Sequence, residues 1–144
     1  MDKVQNYKNH ARLVPGYHYL LATLLLTILI GSVINLFRSS GGEGLYSASL
    51  LVANAAAFVL IAWYVRAFAL RAQDRAIRAE ENLRFYVRTG SPLDPGLSIR
   101  QIIGLRFASD EEYDALAARA LAEGLSEDDI KKSIRQWRPD YYRV

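Results

Sequence analysis

Two apolar runs dominate the chain. Residues 17–37 and 45–65 each hold 21 residues without Asp, Glu, Lys or Arg. As helices rising about 1.5 Å per residue, each would measure roughly 31 Å, the thickness of a bilayer's hydrocarbon core. The pattern predicts two membrane spans. Tyr17 and Tyr19 stand at one end of the first span. Tyr46 opens the second, and Trp63 and Tyr64 close it. Such amphipathic rings favour the membrane–water interface. A cleaved signal peptide fits the first run poorly. The run is too long for a signal core, and no small-x-small cleavage site follows it.

Residues 38–44 read Arg-Ser-Ser-Gly-Gly-Glu-Gly, a short, turn-rich connection that predicts an antiparallel hairpin. Lys3, Lys8 and Arg12 precede the first span, and Arg66, Arg71, Arg75 and Arg78 follow the second. The loop offers only Arg38, offset by Glu43. The positive-inside rule then places both termini in the cytoplasm, for a bacterial protein in the inner membrane. Residues 1–16 are polar and basic, with Val4, Tyr7, Ala11 and Val14 at helical spacing. They predict a short interfacial helix ended by Pro15 and Gly16, with a frayed tail as the alternative.

Past residue 65 the pattern becomes amphipathic. Phe68, Ala72, Ala76, Ala79, Leu83 and Tyr86 recur at steps of three and four, and Val87 widens the stripe. With no Gly or Pro before Gly90, residues 45–89 predict one helix, its first half in lipid and residues 66–89 a stalk in water. The seam is a surface for the head, a second copy or a partner. Residues 90–144 then predict a helical head and tail. Ser98 with Gln101, and Ser109 with Glu112, have capping-box spacing. Gly124 is a stop, and Ser126 precedes Glu127, Asp128 and Asp129. Three helices follow: 99–107, 110–123 and 127–137. Ile102, Ile103, Leu105, Phe107, Tyr113, Leu116, Ala117, Ala120, Leu121, Leu125, Ile130, Ile134 and Trp137 are their expected core. The fold class is all-α.

The absence of cysteine excludes disulfides, thiolate catalysis and cysteine-ligated metals. A net charge of +3 fits membrane topology better than nucleic-acid binding. Asn54 lies inside the second span, where a buried amide usually bonds another helix. Folding about Gly41 sets it opposite Ile28, with Thr27 adjacent. Ser49, Ala53 and Ala57 repeat every four residues, small-xxx-small spacing that admits a close helix. Arg66 and Arg71 suit anionic headgroups, at about 1 kcal/mol each.

Other chemistry is weaker. His10 and His18 are the only histidines, and an interfacial role fits them better than ligation of a pigment. Adjacent Glu80 and Glu81 point about 100° apart on a helix, and Asp110, Glu111 and Glu112 suit a helix N-terminus. Neither group predicts a metal or an acid–base pair. Ala120, Gly124, Leu125 and Ile130 have helix-turn-helix offsets, but the second helix would open with three acids facing phosphate. No catalytic residue, cofactor or nucleic-acid partner is expected.

The runs Ile77-Arg78-Ala79-Glu80-Glu81-Asn82-Leu83-Arg84 and Arg100-Gln101-Ile102-Ile103-Gly104-Leu105-Arg106-Phe107-Ala108-Ser109-Asp110-Glu111 stand out. With Gln5-Asn6-Tyr7-Lys8-Asn9-His10 and the ending Trp137-Arg138-Pro139-Asp140-Tyr141-Tyr142-Arg143-Val144, the chain resembles a family of small bacterial two-span membrane proteins. That family is defined only as a domain of unknown function, so the resemblance implies a full-length unit and no activity. The expected role is non-enzymatic: an accessory or scaffolding subunit contacting lipid and other membrane subunits. A self-assembling homo-oligomer that senses or shapes the bilayer is the alternative.

Overall fold

The structure, a computed structural model, describes residues 5–141. The regular structure among them is all helical, with no strand and five α-helices. They are α1 (Ala22–Arg38), α2 (Leu45–Thr89), α3 (Ile99–Leu105), α4 (Asp110–Glu123) and α5 (Glu127–Ser133). A wide π-helical stretch, Gly16–Leu21, leads into α1. Two helices are long and apolar enough to cross a membrane: Gly16–Arg38, of 23 residues, and Leu45–Thr89, of 45. The chain divides into two compact units. One is Leu13–Phe68; the other joins residues from Ala69 onward to the N-terminal residues up to Arg12.

In the unit Leu13–Phe68, α1 and the first part of α2 meet along small side chains. Ser32, Ala48 and Ala55 are buried there. Most large apolar side chains stay exposed and none is fully buried. The Tyr17 hydroxyl donates to the carbonyl of Ala62, 45 residues away. The hydroxyls of Thr27, Ser32 and Ser49 each donate to a carbonyl three or four residues back in their own helix. Hydroxyls satisfied in this way need no water.

The other unit has a hydrophobic core. Leu105, Phe107, Tyr113 and Ile130 are fully buried, with Ile77 of α2, Leu93, Leu97, Ile102, Ile103, Leu116, Ala117, Ala120 and Ile134 around them. Leu125 and Trp137 pack against this cluster half-buried, while Leu121 is exposed. Local signals set the helices. Gly90 ends α2 at φ 74°. Ser98 and Gln101 form a reciprocal capping box on α3. Gly124 closes α4 in the left-handed region that glycine enters without steric cost. At Gly104 an added Cβ would lie 3.1 Å from both the Glu127 carbonyl oxygen and Ile130, so glycine lets α3 and α5 pack closely.

Three expectations need correction. Residues 5–14 form no helix; they make a turn at residues 7–9. The Asn9 side chain accepts from the Asn6 amide at 2.6 Å, and that of Asn6 from the Lys8 amide at 2.9 Å. These local bonds replace the helical ones. Val4, the first member of the expected face, lies outside the described residues. Ser109 precedes α4 but its hydroxyl does not cap it. Glu112 reaches across the unit instead, accepting from the backbone N–H of Arg135 and of Gln136, each at 3.1 Å. Finally, α3 stops at Leu105 and α5 at Ser133, short of Phe107 and Trp137. Ile134 turns extended, and residues near Ala108 and Trp137 pair antiparallel through Ser109 N to Gln136 O and Arg138 N to Phe107 O.

Candidate functional site

The expected helix-packing residues separate in the structure. Asn54 and Ile28 do line one open cleft, about 270 Å³, with Gly31, Ser32, Asn35 and Leu51. The Asn54 amide makes no bond to α1 among the described residues; α2 is instead bonded by Tyr17, in the π-helical stretch before α1, through the carbonyl of Ala62. Thr27 is exposed and outside the cleft. Ser49, Ala53 and Ala57 do not face α1. The small residues that do are Ala48 and Ala55, seven apart, with half-buried Val52 between them. On a helix that line lies well round from Ala53 and Ala57, which face outward. Both sets have near-helical spacing, and only packing distinguishes them.

The amphipathic seam beyond residue 65 is also open. Phe68, Leu83, Tyr86 and Val87 are 58%, 62%, 54% and 74% exposed. Ala72, Ala76 and Ala79 are exposed as well. The head packs on the other face of α2, along Ile77, Glu81, Arg84 and Phe85. That face is mostly polar and is held by ion pairs. Buried Glu81 bonds Arg84 at 3.0 Å, and Arg84 continues to Asp110 and to the carbonyl of Ala108. Arg84 also lies over the Tyr113 ring, 4.6 Å from its centroid. Arg88 reaches Asp114 at 3.1 Å. The Arg84 hydrogen bond holds the Asp110 carboxyl below its ordinary value of 3.8. Burial, and then the Glu81 charge, push the Tyr113 phenol well above its ordinary 10. The Tyr113 hydroxyl is buried without a properly aligned hydrogen bond.

Beside this lattice a small polar cleft of about 120 Å³ lies among Ile77, Glu80, Glu81, Arg106, Arg138 and Asp140. The Arg106 side chain is 9% exposed and pairs with Asp140 at 3.2 Å, leaving its Nε unpartnered. Desolvation lowers the Arg106 pKa from the ordinary arginine value. A wider groove of about 450 Å³ runs between α4 and the segment after α5, bordered by Glu111, Arg119, Ser133 and Arg135.

The N-terminal residues fasten to this unit, an arrangement no local pattern announces. Gln5 clasps the backbone of Asp140 by two hydrogen bonds. The Tyr7 hydroxyl donates to Asp128 at 2.7 Å. His10 sits by the rings of Tyr7, Phe107 and Trp137, each 5.8 Å away between centroids. Its Nδ1 faces the Tyr7 carbonyl at 2.6 Å and its Nε2 the Lys131 ammonium at 3.3 Å. A carbonyl only accepts and an ammonium only donates, so the proton is assigned to Nδ1. His10 thus belongs to the head, while His18 bonds Val14 just before α1. Arg66 is half-buried and Arg71 exposed, and neither joins the ion pairs seen among the described residues. The three acids opening α5 are likewise engaged within the unit: Glu127 with Lys131, Asp128 with Tyr7 and Lys132, Asp129 with Ser126.

Residues 1–144 match the family of unknown function DUF6526, and the chain belongs to it. No curated protein and no solved structure matches.

Proposed function

We propose that this DUF6526 member is a non-catalytic integral membrane protein serving as an accessory or scaffolding subunit of a larger membrane complex. One observation carries the reading: the apolar helices bury almost none of their large side chains. Leu24, Ile28, Phe37, Leu50, Ile61 and Trp63 each keep half or more of their surface open. In water such a surface is a liability; in lipid or against other membrane subunits it is covered. The reading places α1 and residues 45–65 across a bacterial inner membrane as an antiparallel hairpin, supported by the Tyr17–Ala62 bond. Both termini are proposed to be cytoplasmic. The basic residues outside the spans favour that side, and the docking of Gln5 and Tyr7 on the head keeps the two ends together.

The outward face of residues 45–65 is the proposed contact with other subunits. Ala53 and Ala57 let a foreign helix come close, and Asn54 supplies an amide that has no bond across to α1. Arg66 and Arg71 are proposed to meet anionic headgroups. The test is extraction and co-purification. The protein should stay with membranes through alkaline carbonate and leave in mild detergent with foreign subunits. Ala53→Leu and Asn54→Leu should lose those subunits while remaining folded. Release by carbonate, or variants that keep every partner, would contradict the proposal.

A further inference from the structure

We infer that the water-side seam of α2 is a homotypic contact, along which two copies of this chain pack α2 against α2 in parallel. The inference deepens the membrane reading and rests on it, because copies anchored with one topology meet side by side and parallel.

The head has already taken the opposite side of the helix. Glu81, buried beneath the head, points roughly 160° away from Leu83. The seam left open is periodic. Ala72, Ala76, Ala79, Leu83 and Tyr86 follow steps of four, three, four and three, the alternation of a two-stranded coil. Alanine at three of these positions lets two backbones approach, and Leu83 and Tyr86 bring the larger apolar surface.

Charge selects the occupant. Arg75 flanks the seam on one side and Glu80 on the other, five residues on, and both are exposed. In a parallel pair these positions meet across the interface, so two-fold symmetry makes two Arg75–Glu80 pairs. In an antiparallel pair each flank meets its own kind. Within residues 72–89, Arg75 would then face only Arg75, Asn82 or Thr89, and Glu80 only Gln73, Glu80 or Val87. A second copy, parallel, satisfies both charges.

The native chain has no cysteine, so single-cysteine variants report cleanly. Full-length Ala79→Cys and Leu83→Cys are oxidised in membranes, with exposed Arg78→Cys, off the seam, as control. The seam variants should give a product of twice 16.2 kDa and the control should not. Glu80→Arg should lower that yield roughly fivefold, and adding Arg75→Glu should restore it. Carbonate washing of the same membranes separates the two claims. A retained chain that forms no dimer, that links only to a foreign protein, or that links equally at Arg78→Cys overturns the homotypic seam alone. A released chain overturns the membrane reading and the seam together.

Discussion

Gln5 and Asp140 hold each other across 135 residues of sequence. The Gln5 Oε1 accepts from the Asp140 amide at 2.7 Å and its Nε2 donates to the Asp140 carbonyl at 3.3 Å. One side chain thereby satisfies both backbone groups of a residue that has left regular structure. The same Asp140 places its carboxylate on buried Arg106. Gln5→Ala should therefore cost about 1–2 kcal/mol and loosen both ends of the chain. Thermal unfolding in detergent reads the first effect, and hydrogen exchange at Asp140 and Tyr141 the second.

Tyr113 gives the clearest substitution. Its ring is fully buried, and its hydroxyl lacks a well-aligned partner. Tyr113→Phe removes an unsatisfied group and keeps the packing, so stability at neutral pH should hold or rise. Because burial raises the phenol above its ordinary 10, the folded state keeps the proton that the unfolded chain loses. Stability from this group is complete below about pH 10 and falls as pH rises beyond it. The wild type should lose melting temperature above that pH, and Tyr113→Phe should flatten the loss.

Asp110 works at the acid end. Its pKa is depressed by Arg84, so its contribution is present above the ordinary 3.8 and is lost as pH falls through the lower folded value. Asp110→Asn should weaken the head near neutral pH and remove part of the acid sensitivity below about pH 4. Melting curves between neutral and acid pH, compared for the two proteins, check it.

Gly104→Ala tests the contact of α3 with α5. The new methyl would stand 3.1 Å from a backbone carbonyl oxygen that cannot rotate away. About 1–3 kcal/mol should be lost. Urea unfolding followed by tryptophan fluorescence should report it, since Trp137 packs against the same core.

Glu112→Ala frees the backbone of Arg135 and Gln136. The segment after α5 should then be cleaved by trypsin at Arg135 well before the wild type is. Equal cleavage rates would mean that the Ala108–Trp137 pairing alone holds the segment.

Local signals were read well from sequence. The span of α2, its stop at Gly90, the Ser98–Gln101 box and the Gly124 cap each depend on residues within a few positions of one another. Long-range choices were not legible. From spacing, the apolar seam of α2 suits the head, a second copy or a partner equally; the head sits instead on Ile77, Glu81 and Arg84, whose charges find Asp110 and Arg138 only after folding. Ser109 looked like a cap, but Glu112 serves residues more than twenty positions away. The clasp of Gln5 on Asp140 has no sequence pattern at all. In the apolar helices, Ala48 and Ala55 against α1 and Ala53 and Ala57 outward are chemically alike, so spacing alone could not tell which line would be buried.

The central claim is that the chain works as a subunit within a membrane assembly. Native mass spectrometry of the protein, extracted from its own membranes in mild detergent, tests it most directly. The account predicts a mass that holds foreign subunits together with this chain, in even copies if the α2 seam is homotypic. A lone species of 16.2 kDa would contradict it.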